Sequence, residues 1–452
     1  MHLPDILTRL TEPASPDQPL YLVGGAVRDF LLGQPCKDYD LVGPGDVRGI
    51  ARQFANQVGG AFYILDEQRN TCRVLVDQSE GSRTIIDFSV LRGNSIIDDL
   101  AERDFTINAM AVDLRNPDTI IDPYKGGRDL QEKWLRPVNH TSLQDDPLRT
   151  IRGIRYAVAL GLKVEPPTTK LIDKAVPELS RISTERKRDE LFKILDGEKV
   201  HVALQLLHHF QVFEGLPLRV RLGFIEALDQ SRALGEMIGA ITTTSPTQKQ
   251  AAFHSTSLML VFGQFKPAIQ DHFFRVNSSG RSRRALLHLC VLLDGSSGYS
   301  KKEIQDILAL SVDEAEVIDA HIRYREYCDQ VISGDSPSAL EIYRFFKATG
   351  STGIDLVFSS LAGYRARIGA EQQQQEWLNR LGNAGQLVKS WFTQPELISP
   401  LPLLNGDEII DQLDLAPGPR IGDLLETLIS AQVEGKIKSK NDALEWLKNQ
   451  EG

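Results

Sequence analysis

The sequence predicts an α+β protein, with an α/β head followed by an all-α remainder, and three observations carry this. Up to about residue 135, short β-like runs alternate with Gly-rich turns and one or two helical segments; the runs are Tyr21-Leu-Val, Tyr39-Asp-Leu-Val, Arg73-Val-Leu-Val and Thr84-Ile-Ile-Asp-Phe. Beyond Asp145 apolar residues recur at helical spacing, as in Leu148, Ile151, Ile154, Val158 and Leu162, and β-like runs become rare. A chain of 452 residues has length for about two to four domains, each with its own core.

Composition narrows the class without naming a function. With 41% hydrophobic and 25% charged residues the chain is neither disordered nor membrane-embedded. Acidic residues outnumber basic ones, 61 to 51, so no global positive field advertises nucleic-acid binding and any RNA site must be a local patch. Cys36, Cys72, Cys290 and Cys328 form no CxxC pair, against a zinc ribbon or a disulfide scaffold and in keeping with a reducing cytoplasm. The N-terminus, with Pro4, Pro13, Pro16 and Pro19, has no apolar core of a secretory signal. No apolar run approaches the roughly 20 residues of a membrane helix, so a soluble, cytosolic protein without a membrane partner is expected. Turns or junctions are expected at Pro166-Pro167, Thr243 to Ser245, Asn277 to Gly280, Gly295 to Gly298 and Pro395 to Asn405, and Gln372 to Gln375 is a short glutamine run that a helix surface can hold.

The most informative stretch is Leu22-Val-Gly24-Gly25-Ala-Val-Arg28-Asp29, followed by Lys37-Asp38-Tyr39-Asp40-Leu41-Val42. It reads as a glycine turn, a helix, and a strand bearing two acids. Residues two apart on a strand share a face, so Asp38 and Asp40 project together while Tyr39 and Leu41 pack behind. Two such carboxylates repel unless a cation lies between them, and hard oxygen ligands suit magnesium, which completes its shell with substrate phosphates. Gly24 and Gly25 leave room for backbone amides to approach a phosphate at the start of a helix, and Arg28 is placed to pair with a triphosphate. Taken singly, Gly-Gly is ordinarily a turn and Asp-x-Asp a solvated face. A third acid, Asp87, lies in the alternating run from Thr84, where a neighbouring strand can bring it beside the pair. It either activates or positions an attacking hydroxyl, or is simply an acid on an exposed strand.

The combination of an apolar residue, Gly-Gly, a helical segment and an apolar-flanked Asp-x-Asp resembles the signature of the DNA polymerase β-like nucleotidyltransferases. From Gly24-Gly25-Ala-Val-Arg28-Asp29 onward, the chain resembles the class II tRNA nucleotidyltransferases, the family of CCA-adding enzymes and bacterial poly(A) polymerases. The resemblance continues through Glu102-Arg103-Asp104-Phe-Thr-Ile-Asn108, Asp122-Pro-Tyr-Lys-Gly126-Gly127-Arg128, Asp145-Asp146-Pro-Leu-Arg149-Thr-Ile-Arg152 and Ser183-Thr-Glu185-Arg186-Lys-Arg188-Asp-Glu190. Near the C-terminus, Leu404-Asn405-Gly406-Asp407 and Pro417-Gly418-Pro-Arg420 look like its tail segments. The resemblance implies two magnesium ions held by Asp38 and Asp40, with Asp87 as a third catalytic acid. It also implies ribose selection by Arg103 and Asp104 with Asn108 in the same motif, a hinge at Gly126-Gly127, and base reading of CTP or ATP by Asp146 and Arg149, with Arg152 alongside. Placed three apart on one helix, Asp146 and Arg149 are expected to share a face; without the upstream motifs that spacing would equally describe an intrahelical salt bridge. Ser183 is expected to cap a helix that supports this template element.

The implied architecture is a polymerase β-like catalytic head at 1–137, a helical neck reading the base at 138–250, a body at 251–395 with a degenerate HD-like region, and an RNA-binding tail at 396–452. The implied reaction is template-independent addition of C, with or without the final A, to the tRNA 3′ end. Between Asp87 and Arg103 the segment containing Leu91-Arg92-Gly93-Asn94 is shorter than the flexible loop that full CCA-adding members use when switching to ATP, which resembles members that stop after two cytidines. Glu102 stands where the family usually has arginine, and Asp145 where it usually has glutamate. Leu286-Leu-His288-Leu-Cys-Val-Leu-Leu-Asp294 lacks the adjacent His-Asp pair of a metal-dependent phosphohydrolase, so His288 reads as a helix-face or core histidine and no such activity is expected. Basic clusters at Arg181 to Arg188 and Arg275 to Arg284 are either phosphate contacts or solvated helix faces. The other readings are a poly(A) polymerase, which shares the head motifs, and a catalytically idle RNA-binding protein.

Overall fold

A computed structural model describes residues 3–10, 18–77, 83–216, 223–242, 252–293, 300–368 and 374–450. Pro13, Pro16, Thr243 to Ser245, Gly295 to Gly298, and Gln372 and Gln373 lie outside them. The chain divides into two compact units, one of residues 1–190 and 206–216 and the other of residues 191–205 and 217–452. The division between the units falls within the expected neck at 138–250 and coincides with none of the expected domain boundaries.

The first unit is built on a seven-stranded sheet. Its strands are β1 (Tyr21–Val23), β2 (Asp38–Gly43), β3 (Ala61–Asp66), β4 (Thr71–Asp77), β5 (Arg83–Val90), β6 (Ala111–Asp113) and β7 (Ile120–Ile121), in the order β3-β4-β5-β2-β1-β6-β7. All neighbours are antiparallel except β2 and β5, which run parallel with Asp40 opposite Asp87. Alternation sorts the side chains: Tyr39, Leu41, Cys72, Val74, Ile86 and Phe88 are buried on one face, where a helix (Val47–Val58) packs its apolar stripe of Val47, Ile50, Ala51, Phe54 and Ala55. Phe54 and Phe88 meet with ring centroids 6.3 Å apart. Asp38, Asp40, Asp87 and Arg73 therefore fall on the opposite face.

Four helices matter for the site: α1 (Gly25–Leu31), α2 (Ile96–Ala101), α3 (Gly126–Glu132) and α4 (Leu148–Leu160). Asp122 caps α3 by accepting from the Gly126 and Gly127 amides at 2.7 and 3.0 Å. Gly126 is needed for packing there, since a Cβ would come within 2.1 Å of the Thr106 carbonyl oxygen. The helix Thr184–Leu195 starts beside Ser183, whose hydroxyl lies 3.5 Å from the Arg186 amide.

The second unit is helical. Its helices include Phe224–Thr242, Arg283–Leu293, Val312–Ser333, Thr352–Arg367 and Gln374–Thr393, with capping boxes at Ser300, Ser311 and Ser338. Phe262 and Phe273 pack on Phe358 with centroids 5.3 and 5.0 Å apart. Leu404, Ile409, Ile421, Leu428, Ile437 and Leu447 form a cluster of their own within the tail. The second basic cluster is largely structural: Arg281 pairs with buried Glu314 at 2.6 Å, Arg283 pairs with buried Asp355, and Arg284 donates to the Asp196 carbonyl. Arg275 is the member whose side chain stays mostly exposed. His288 is a core residue, hydrogen-bonded through Nδ1 to Ser231 at 2.8 Å. No helix among the described residues is long and apolar enough to cross a membrane.

Candidate active site

Strand register assembles the acids. Asp38 and Asp40 sit at alternate exposed positions of β2 while Tyr39 between them is buried, and the parallel pairing of β5 sets Asp87 directly beside Asp40. Across the next, antiparallel pairing Arg73 stands opposite Asp87 and clamps it, with Nε and NH2 donating to the two carboxylate oxygens at 2.7 and 2.8 Å. Burial raises the Asp40 carboxyl pKa even though its residue still reaches solvent; nearby Arg103 opposes this, and the Asp87 and Asp38 carboxylates reinforce it.

Gly24 is the meeting point of the site. It has φ +74°, and a Cβ built there would lie 2.9 Å from NH1 of Arg103 and 3.8 Å from Oδ2 of Asp40, so the turn needs both the left-handed backbone and the missing side chain. Gly25 opens α1, leaving the first-turn amides without partners inside the helix. Arg28 donates to Asp29 and to Asn108 Oδ1, each at 2.8 Å, and its guanidinium stands 5.3 Å from the centroid of the Tyr156 ring.

The motif around Arg103 and Asp104 is braced from several sides. Asp99, 1% exposed, accepts from Nε and NH2 of Arg103 at 3.1 and 2.9 Å and from the Arg92 amide at 3.2 Å. Buried Asp104 uses Oδ1 to accept from the Phe105 amide and Asn108 Nδ2. Its Oδ2 lies 3.0 Å from Arg152 NH2 but accepts no hydrogen bond, and Arg152 Nε is likewise buried without a hydrogen-bond partner. Burial is the largest influence on Arg152 and lowers its pKa, but the Asp104 carboxylate, Tyr156 and Glu190 together outweigh it and the net shift is upward. Asp104 Oδ2 and Arg152 Nε are both sealed from solvent, so a ligand reaches Asp104 Oδ2 only when the Arg152 side chain moves.

The geometry of the template element differs from expectation. Asp146 is extended (φ −138°, ψ 95°) and precedes α4 rather than lying on it. Pro147 is the reason, because proline pushes the residue before it out of the helical region. Asp146 and Arg149 therefore share no helix face. Asp146 Oδ2 pairs with Arg186 at 2.7 Å, while Arg149 donates to the Arg103 and Glu102 carbonyls at 3.2 and 2.7 Å and to the Ser142 hydroxyl at 2.7 Å. Burial lowers its pKa. In the first basic cluster Lys187 is buried and donates to the Gly215 carbonyl at 3.0 Å, so with Arg186 it too serves the protein.

Sequence reasoning missed Arg73, Asp99 and Tyr156, and it placed Arg186 in a basic cluster without its pairing to Asp146. Asp99 had a signal, its i,i+4 spacing to Arg103. Arg73 becomes visible only once the β4–β5 register is known.

Among the described residues, no three or more His, Cys, Asp and Glu side chains gather to hold a metal by themselves. Asp38 and Asp40 supply two carboxylates and Asp87 is committed to Arg73. That donor set fits magnesium, which binds through one or two carboxylates and takes its other ligands from water and substrate phosphates.

Residues 20–136 match the poly A polymerase head domain, and residues 161–218 match the family described as a probable RNA and SrmB-binding site of polymerase A. The CC-adding tRNA nucleotidyltransferase of Geobacter sulfurreducens is 28% identical over 448 residues, covering 94% of this chain and 91% of that one. The A-adding tRNA nucleotidyltransferase of Deinococcus radiodurans is 30% identical over 434 residues, covering 93% of each. The fold matches that of the Thermotoga maritima CCA-adding enzyme complexed with tRNA, at TM-score 0.61 and 24% identity over the full length of both chains. With that similarity running nearly end to end, the chain belongs to the tRNA nucleotidyltransferase family of enzymes.

Proposed function

We propose that this enzyme transfers CMP from CTP to the 3′-hydroxyl of tRNA and stops after two cytidines. One observation carries the chemistry: Asp38, Asp40 and Asp87 share a sheet face, and Gly24 beside them has no side chain where Asp40 and Arg103 converge. Asp38 and Asp40 would hold magnesium, which when bound neutralises the triphosphate and polarises the phosphate under attack. Arg103 and Arg28 face the triphosphate, and Asp104 Oδ2 accepts from a ribose hydroxyl once Arg152, 3.0 Å away, moves aside. Asp87, with both oxygens on Arg73, acts by orienting the 3′-hydroxyl. The 3′-oxygen attacks the α-phosphorus, the bond to the bridging oxygen breaks, pyrophosphate leaves and the hydroxyl proton passes to solvent. Arg149 shapes the base site by fixing the Glu102-Arg103 backbone, and Asp146 reaches the base when Arg186 releases it.

The connection between β5 and α2 supports the stop after CC. The Leu91 amide bonds the Gly43 carbonyl at 3.0 Å, Arg92 bonds Asp99, and the Asn94 and Ser95 amides both bond Asp98 at 2.9 Å. Gly93 (φ +77°) lies so close that a Cβ would meet that of Asp98 at 2.5 Å. A connection this short and this fully bonded has no slack with which to reshape the site from a pyrimidine to a purine. A cytoplasmic location is supported by the tRNA substrate and by four free cysteines.

The test supplies labelled CTP or ATP to tRNA transcripts ending before CCA, after C, and after CC. C enters the first two and no A enters the third. Addition of A to the third transcript overturns the stop, long tails from ATP alone make the enzyme a poly(A) polymerase, and no incorporation on any transcript leaves an idle RNA-binding protein.

A further inference from the structure

Arg103 has three guanidinium nitrogens, and they are used unequally. Nε and NH2 are fixed on the Asp99 carboxylate, while NH1 points to the space above Gly24, where a Cβ would be 2.9 Å away. Asp99 is itself held. It belongs to α2, whose start is locked by a reciprocal capping box between Ser95 and Asp98, and its Oδ1 accepts from the Arg92 amide. An arginine side chain carries substantial rotamer entropy, and a single carboxylate oxygen, Oδ2, that accepts from two of its nitrogens removes much of it before any ligand arrives. Asp99 is almost wholly inaccessible, so it cannot touch substrate; what it can do is decide where the third nitrogen points.

We propose that Asp99 is the positioning residue for this enzyme's nucleotide seat, holding Arg103 so that one N–H edge faces the incoming nucleoside triphosphate beside Asp40. The inference rests on the nucleotide seat proposed above. Without the clamp Arg103 keeps its charge but samples other rotamers, several of them toward the Asp40 carboxylate, and occupies the nucleotide's place in part of the population. Asp99 then acts on nucleotide affinity and on discrimination at the ribose next to Asp104 more than on the bond-making step.

The test is a double-mutant cycle of Asp99→Asn and Arg103→Ala, with steady-state kinetics for CTP and dCTP on a transcript ending before CCA. Asp99→Asn raises the KM for CTP on the order of tenfold, lowers kcat less, and narrows the preference for CTP over dCTP. In the Arg103→Ala background the same substitution is silent to within about twofold. If Asp99→Asn is equally harmful with and without Arg103, or if it lowers thermal stability while leaving the KM and ribose preference intact, the inference is overturned. Should Asp99→Asn fail to fold because Arg103 is left unpaired, Asp99→Glu, which keeps the charge but moves the carboxylate by one methylene, decides it: a raised KM for CTP with a narrowed preference over dCTP supports the inference, and unchanged values of both overturn it. A wild-type enzyme that incorporates no C on this transcript defeats the nucleotide-transfer reading instead, a different result from an active wild type with an additive cycle.

Discussion

Asp40 shows how function and stability oppose each other at a single residue. Its carboxyl is raised by burial and by the Asp87 and Asp38 charges. A group whose folded pKa exceeds its unfolded value binds protons more readily in the native state, so the stability it contributes falls as pH rises through the folded pKa. At pH 7, in metal-free protein, the ionised group is therefore a liability. Asp40→Asn should abolish C incorporation yet raise the melting temperature, by a few degrees at most; a drop in Tm in the presence of chelator would contradict this electrostatic account. Gly24→Ala is the complementary case, because the φ of +74° and the 2.9 Å approach to Arg103 both penalise a Cβ. It should lose about 1–2 kcal/mol of stability and raise the KM for CTP, read by thermal denaturation and kinetics on one preparation. The Asp-x-Asp pair was legible in the sequence because strand alternation is a local rule. Arg73 and Tyr156 were not, because their roles arise from a cross-strand pairing and from Arg28 on a different element.

Helix α4 marks how far local pattern reaches. Its apolar spacing was readable from Leu148 onward, and it buries Leu148, Ile151, Ile154 and Ala157. Its start was misjudged because helical spacing was extended back through Pro147 to Asp146, where proline forbids it. Strand β3 was missed for the opposite reason: it is an edge strand that leaves Tyr63, Ile64 and Leu65 exposed in succession, so no alternation betrays it. The position of α4 depends on Gly153, where a Cβ would come within 2.7 Å of the Phe105 ring. Phe105 follows Asp104 directly and packs edge-on against Tyr156, with centroids 6.0 Å apart. Gly153→Val should therefore displace the helix, costing about 1–3 kcal/mol and raising the KM for CTP through Arg149 and Arg152. Unchanged nucleotide kinetics in a destabilised Gly153→Val enzyme would separate the helix from the nucleotide seat.

At the scale of the whole molecule, the two units should respond differently to acid. In the helical unit the His288 pKa is pushed down to about 3, chiefly by burial, with Arg284 and His201 adding to it. The unfolded chain takes up a proton at this histidine below about pH 6.5, and the native state refuses it. The unit should then lose close to 1.4 kcal/mol per pH unit on acidification from about 6.5 toward the folded value. Asp355 and Glu314, whose carboxyls their partners hold below the usual range, add a further loss only when pH falls through the ordinary carboxylate values. Trp377, Trp391 and Trp446 lie in this unit and Trp134 in the other, so tryptophan fluorescence during urea denaturation mainly reports the helical unit. His288→Gln can keep a hydrogen bond to Ser231 without the titration. It should flatten the dependence between pH 7 and 5, leaving the smaller slope due to His201, which burial and neighbouring Arg232 also depress. Equal slopes in wild type and His288→Gln would mean that the helical core admits a protonated imidazole, which a histidine on a helix buried from Ala285 to Leu293 should not do.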